Sequence, residues 1–334
     1  MKNVLIDKNR NFYKANLHCH TTMSDGKLTR EEIKEAYKAK GYSIVAFTDH
    51  EHLIDNSYLN DDSFLAITSA ELAIKEFPEQ STLVNLKMKV CHLNVLSPSP
   101  DYVITPCYSS FYDHYVNDEN RDLIKFDKEF NRVHTKKGIN KIIREANSKG
   151  FLVAFNHPSW SLENATDYIG LDGLWGVEIY NNSVVTMGGM GDEHAFDDLL
   201  CAGKKVYCIA ADDNHNSSPF DSDKCDSFGG FTVVNCDSLD YDNVFSSLKN
   251  GFFYASTAPE INSLVYEDGK LTFECSEVRK VSLITEGRRR KALTGSITSG
   301  EFEIKENDGY FRLRFEDSEG KCAYTQAYDL CDME

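Results

Sequence analysis

Residues 206–215 read Val-Tyr-Cys-Ile-Ala-Ala-Asp-Asp-Asn-His, a short apolar run that ends in side chains able to hold a metal. The same pattern recurs at YKANLHCH (13–20), SIVAFTDH (43–50), FLAITSAE (64–71), VCHLNVL (90–96), FLVAFNH (151–157) and WGVEIYN (175–181). Several of these runs are nearly continuous in apolar residues, as expected of strands buried on both faces. Helical patterns lie between many of them. Thr29-Arg-Glu-Glu32 forms a capping box that opens a helix running to about Lys40, with Gly41 as its stop. Residues 138–149, 190–202 and 241–250 read as three further helices, each followed by glycine. Strand–helix alternation predicts an α/β fold with a parallel sheet, and its repetition predicts a barrel. In such barrels the chemistry gathers at the C-terminal ends of the strands, where these polar residues fall.

Two regions depart from the pattern. Residues 97–137 are irregular and rich in proline, tyrosine and phenylalanine, so the 97–150 stretch reads as an insertion and candidate lid. Beyond residue 256 the helical period disappears. Asp268-Gly269, Glu286-Gly287, Asp308-Gly309 and Glu319-Gly320 punctuate short alternating runs. The division predicted is therefore 1–256 for the barrel and 257–334 for a small antiparallel β domain. The basic run Arg288-Arg289-Arg290-Lys291 reads as a solvated hairpin tip.

The 334 residues carry 36 basic and 53 acidic side chains, a net charge of −17. Phosphate backbones and anionic lipids require basic patches, so duplex nucleic acid and membrane surfaces are poor partners for this composition. No apolar run approaches the ~20 residues that cross a bilayer, and the first residues lack a signal-peptide core, which predicts a cytoplasmic protein. The ten cysteines contain no CxxC pair and read as free thiols. Nothing in the sequence indicates an oligomeric state.

Six of the ten histidines (His18, His20, His50, His92, His157 and His215) follow or sit on predicted strands. Residues i and i+2 of a strand point the same way, so His18 and His20 aim together, with Cys19 opposite. Asp213 and His215 repeat that spacing, and Glu71 and Asp25 add carboxylates. Imidazoles combined with carboxylates suit Zn, Mn or Fe. Burying so many polar groups without a partner would cost several kcal/mol each, and bound cations remove that cost.

His18-Cys-His20-Thr-Thr-Met-Ser24-Asp25-Gly26 and Thr48-Asp49-His50, with Asn156-His157-Pro158 and Asp213-Asn-His215, resemble the motifs of the polymerase and histidinol phosphatase (PHP) family over about residues 12–256. The resemblance implies a distorted (β/α)7 TIM-like barrel with two or three divalent metal ions. It assigns His18, His20, Glu71 and Asp213 to a first metal, Glu71, His92 and His157 to a second, and Asp25, His50 and His215 to a third. Asp212 stands beside Asp213 and competes for its role. Gly251-Phe-Phe-Tyr-Ala-Ser-Thr-Ala-Pro259 with the β tail resembles the carbaryl hydrolase-like branch.

The function expected is hydrolysis of a small phosphorylated metabolite, with a nucleotide among the candidates, by a metal-bridging hydroxide. Asp213, His215 and Glu71 are the catalytic candidates. Hydrolysis of a carboxylic ester, amide or carbamate on the same centre is the alternative, and a non-catalytic metal-binding module is the third reading. Asp49, Asn156 and Glu178 are candidates to orient the imidazoles. Arg132, His134, Lys136 and Arg144 are candidates for binding a substrate anion, alongside Glu178, while His194 reads as a surface residue. No GxSxG elbow and no GxxxxGK[ST] loop is present.

Overall fold

The computed structural model describes residues 2–77 and 87–333. Among the described residues sixteen strands form one continuous sheet. In chain order they are β1 (Lys2–Ile6), β2 (Asn11–Asn16), β3 (Ile44–Phe47), β4 (Leu65–Lys75), β5 (Val90–Leu96), β6 (Leu152–Phe155), β7 (Gly176–Asn181), β8 (Tyr207–Ala211), β9 (Phe231–Cys236), β10 (Phe253–Ser256), β11 (Ile261–Glu267), β12 (Lys270–Thr285), β13 (Arg290–Glu303), β14 (Tyr310–Glu316), β15 (Cys322–Tyr324) and β16 (Tyr328–Asp329). The helices are α1 (Arg30–Ala39), α2 (Lys136–Ser148), α3 (Ala165–Tyr168), α4 (Asn182–Thr186), α5 (Glu193–Cys201) and α6 (Tyr241–Asn250). The chain is an α/β protein with a C-terminal β region, as the sequence pattern predicts.

The path β2-β3-β4-β5-β6-β7-β8 carries the site. It is parallel except at β5, which runs against both β4 and β6. The expected parallel sheet is interrupted there by one antiparallel strand. Residues 72–74 are Leu-Ala-Ile, so β4 continues past Glu71 to Lys75 and pairs directly with the returning strand. The reversal brings His92, near the start of β5, to the same mouth as residues that follow the ends of the parallel strands. At that mouth the chain beyond β2 meets the chain beyond β8. Asp213 N donates to His18 O (2.9 Å) and His20 N to Asn214 O (3.1 Å). Farther down, the Thr232 hydroxyl of β9 donates to Ala210 O, and no backbone ladder joins β8 to β9 among the described residues.

The helices form for local reasons. Thr29 and Glu32 complete the predicted capping box of α1, and Thr135 accepts from Gly138 N to open α2. The apolar stripe Ile139, Ile142, Ile143 and Ala146 of α2 is buried in the core that includes β6. Each such isoleucine contributes roughly 1.5–3 kcal/mol by leaving water. In the C-terminal region β12, β13 and β14 pair antiparallel, and β1 from the other end of the chain pairs with β11. Arg312 of β14 ties this region to α5 through Glu193 (2.9 Å) and Asp197 (2.7 Å). No disulfide joins cysteines among the described residues.

Candidate metal centre

The loop after β2 carries His18 and His20, and its tight return depends on Gly26. A Cβ there would stand 2.5 Å from the carbonyl of His20. Cys19, facing away, is buried among Ile33, Tyr37 and Phe47. His50 follows β3, Glu71 lies within β4, His92 opens β5, His157 follows β6, and Asp213 and His215 follow β8. Three residues in or beside the site, Glu51 (φ 70°), His157 (φ 28°) and Asp213 (φ 54°), adopt left-handed backbone. Each such conformation costs roughly 1–3 kcal/mol and persists where the surroundings over-determine it.

Glu71 occupies the centre of the cluster. Its Oε1 lies 3.2 Å from His18 Nε2, 3.0 Å from His92 Nδ1 and 3.3 Å from His157 Nε2. Its Oε2 lies 3.3 Å from His50 Nδ1 and 3.4 Å from His20 Nε2. Asp213 Oδ1 stands 3.1 Å from the Nε2 atoms of both His18 and His20, which are themselves 3.2 Å apart. Asp25 faces His20, His50 and His215 at 3.5–3.7 Å.

Four convergent donor groups result: His18, His20, Glu71 and Asp213; Glu71, His92 and His157; His20, Asp25, His50 and His215; and His18, His157 and Glu178. His20 joins the Asp25 group as well as the Asp213 group, which the sequence reading did not anticipate.

These donors fit divalent cations on a specific observation. His50 Nδ1, both ring nitrogens of His92, and Asp213 Oδ1 are buried and have no hydrogen-bond partner, although carboxylate or imidazole atoms lie close by. Atoms crowded together without hydrogen-bond geometry are arranged as ligands of a common centre, and the imidazole–carboxylate set suits Zn, Mn or Fe. Electrostatics agree. Burial opposes charge on His20, yet the facing carboxylates of Asp213 and Glu71, with Asp25, outweigh it and push its pKa up to about 10. His18 is likewise raised against burial by Asp213, Glu71 and Glu178. Burial and the neighbouring His20 push His50 down to about 3. Glu71 and Asp213 are lowered against burial by the surrounding imidazoles.

Outer partners fix the ligands. Glu178 Oε1 meets His18 Nδ1 at 3.0 Å, and its Oε2 accepts from His157 N and Asn181 Nδ2. Ser161 Oγ meets His157 Nδ1 at 3.1 Å, and Asn156 Nδ2 donates to Glu71 Oε1 at 2.7 Å. Asp49 accepts from Thr21 and Ser24, so it holds the loop after β2 rather than an imidazole. Asp212 turns away from the cluster and accepts from Tyr37 and the amides of Phe228, Gly229 and Gly230. Burial, opposed by those hydrogen bonds, raises its pKa to about 6.

Arg132 and His134 do not face the cluster. Arg132 is buried and pairs with Glu51 at 2.7 Å, also donating to Ala73 O and Cys107 O. His134 pairs with Glu163 at 2.9 Å. A guanidinium already committed to a buried carboxylate and two carbonyls is not free to hold a substrate anion, which corrects that expectation for Arg132. Lys136 starts α2, Arg144 lies on its exposed side, and His194 is exposed as expected. The insertion reaches the mouth through other residues. Asn117 and Asn120 donate to carbonyls of Thr22 and Met23, and the Tyr115 ring lies 4.7 Å from that of His50.

The sequence reading did not single out Trp160, whose ring centre lies 5.0 Å from that of His157, or Asn181, which donates to Asp213 and Glu178. Trp160 follows His157-Pro158 by two residues and was legible as an aromatic beside a ligand; Asn181 closes the run at 175–181, which gave its place at a strand end but not its partners.

Mixed α/β architecture with a cluster of histidines and carboxylates at one sheet mouth gives a protein whose side chains could hold metal ions. The PHP domain model matches residues 16–276, and the chain belongs to the PHP family. No curated protein is a significant match. Among solved structures, the chain is similar to a two-domain protein from Bacteroides vulgatus containing a predicted PHP-like metal-dependent phosphoesterase, at 13% identity and a TM-score of 0.46, covering 97% of this chain and 96% of that one. It is also similar to an amidohydrolase from Chromobacterium violaceum with bound sulfate and no metal, at 14% identity and a TM-score of 0.35, covering 60% of this chain and 87% of that one. The reading of the site rests on its own side chains.

Proposed function

We propose that the chain is a metal-dependent phosphoesterase that hydrolyses a small phosphorylated substrate at a di- or trinuclear centre. The observation that carries this reading is the Glu71 carboxylate, whose two oxygens face different sets of imidazoles, as a group shared between cations does. His18, His20, Glu71 and Asp213 would hold one cation, Glu71, His92 and His157 a second, and Asp25, His50 and His215 a third.

Bound divalent cations supply acidified water and take up charge on phosphoryl oxygens. The chain itself does the rest. Glu178 and Ser161 orient the imidazoles of His18 and His157, and Asn156 fixes Glu71. Asp25 and His215 stand at the more exposed rim, where the ester's leaving group enters. The insertion, latched by Asn117 and Asn120 onto the loop after β2, bounds the substrate side of the mouth.

The test is a panel of p-nitrophenyl phosphate, bis-p-nitrophenyl phosphate and p-nitrophenyl acetate with Mn2+ or Zn2+. Metal-dependent turnover of a phosphate ester is expected. Turnover of the acetate alone would reject this reading in favour of a carboxylic ester hydrolase, and metal-dependent stabilisation without any turnover would favour a binding module.

A further inference from the structure

A cavity of about 620 Å3 adjoins the rim of the metal centre, a volume within the range of small-molecule sites. Its lining includes the rim residue His215, together with Trp160, Met187, Ser217, Ser218 and Lys224. Trp160 is 47% exposed and Met187 67%, whereas Trp175, the chain's other tryptophan, is buried. An indole left in water beside a reaction centre is a large apolar face without a cover.

This tryptophan is exposed without being loose. On one side Ser159 donates from both its amide and its hydroxyl to the buried carboxylate of Asp192. On the other, Ser161 N donates to His157 O, and Ser161 Oγ meets His157 Nδ1. The indole ring stands nearly perpendicular to His157, at 81°, and 5.7 Å from His92. A rigid, uncovered ring so placed costs little entropy to use as a contact surface. Methionine, polarisable and adaptable, suits contact with a flat guest in the same cavity. Hydroxyls of Ser217 and Ser218 and the Lys224 ammonium supply the polar contacts expected around a ring bearing heteroatoms or a further anionic group.

Resting on the phosphoesterase reading, we propose that Trp160 is a stacking platform for a flat ring in the alcohol part of the substrate. The preferred substrates are then phosphate esters of ring-bearing alcohols, of nucleoside or aryl type, with the phosphoryl group at the cations and the ring in the Trp160 cavity. An aliphatic alcohol would leave the indole in water. Trp160 is a specificity-determining residue in this scheme.

The experiment compares adenosine 5′-monophosphate with glycerol 2-phosphate on the Zn2+-loaded protein, by binding and by turnover. Adenosine monophosphate should quench the exposed tryptophan saturably, and the signal should vanish in Trp160→Phe. Trp160→Ala should weaken its binding, measured by titration calorimetry, by about 5- to 150-fold, the size of a lost base–aromatic stack. The ratio of kcat/KM for the two substrates should favour the nucleotide at least about tenfold in the wild type and collapse in Trp160→Ala. Absence of quenching, equal affinity in Trp160→Ala, or an unchanged ratio would overturn the platform. Quenching and Trp160-dependent binding without hydrolysis of either ester would uphold the platform and count against the phosphoesterase reading.

Discussion

The metal mouth and the seam beneath α5 both bury ionisable groups, and they meet the cost in opposite ways. At the seam, the buried guanidinium of Arg312 finds two carboxylates, Glu193 and Asp197, and lies over the Phe196 ring. Those carboxylates reach solvent, so the arrangement is neutralised by the protein itself. At the mouth, Glu71 is almost wholly buried among imidazoles, and several ligand atoms nearby have no hydrogen-bond partner. Fixed, left-handed backbone at His157 and Asp213 adds strain. The comparison teaches that buried charge alone does not mark a site. The seam too leaves Arg312 Nη1 and Arg314 Nε unpartnered, but these are cation atoms beside carboxylates, whereas at the mouth unpartnered imidazole and carboxylate atoms converge where a cation would satisfy them.

The largest expected effect breaks the mouth and leaves the seam intact. His18→Ala removes a donor that faces both Glu71 and Asp213. Metal-dependent turnover should fall to background with the far-UV circular dichroism unchanged. Retained turnover would remove His18 from the centre.

Glu178→Gln asks whether an outer partner matters as the geometry says. It weakens the hold on His18 Nδ1 without touching the donor groups built on Glu71 and Asp25. Metal affinity should drop by about 10- to 100-fold, as loss of such partners does elsewhere, in a direct titration with Mn2+ or Zn2+. Unchanged affinity would show that His18 is oriented by packing alone.

Proton competition sharpens the contrast further. His18 and His20 have raised pKa values, so both carry protons near neutral pH that a cation must displace. Metal affinity should therefore rise with pH, by up to about tenfold per unit for each proton released. A flat profile between about pH 6 and 8 would contradict this placement of protons. Stability of the Arg312 seam, with no histidine in it, should not follow that profile.

The smallest effect belongs to the seam. Arg312→Met removes the cation but leaves carboxylates that can rehydrate. The cost should lie near ~1–3 kcal/mol in urea unfolding, below the figure for stranding a fully buried charge. Turnover per folded molecule should be unaffected. A loss of turnover matching that of His18→Ala would mean that the two regions are coupled.

Much of the site could be read before the fold was known, because local spacing carries it. The i, i+2 pair His18 and His20 needs only strand geometry, and Thr29 with Glu32 needs only a helix start. Four features depended on information that local sequence does not hold. The choice between Asp212 and Asp213 depends on which side of a left-handed turn each carboxylate faces. The reversal of β5 depends on β4 running on past Glu71 to meet it. The pairing of β1 with β11, and the burial of Arg132 against Glu51, join residues far apart in the chain, where no local period gives warning.

The most direct test is the metal content of the protein reconstituted with Mn2+ and freed of excess ion, read by elemental analysis alongside turnover of bis-p-nitrophenyl phosphate. Two or three ions per chain are predicted, with turnover lost on chelation and regained on adding them back. Less than one ion per chain, or turnover indifferent to chelation, would contradict a multinuclear centre at this mouth.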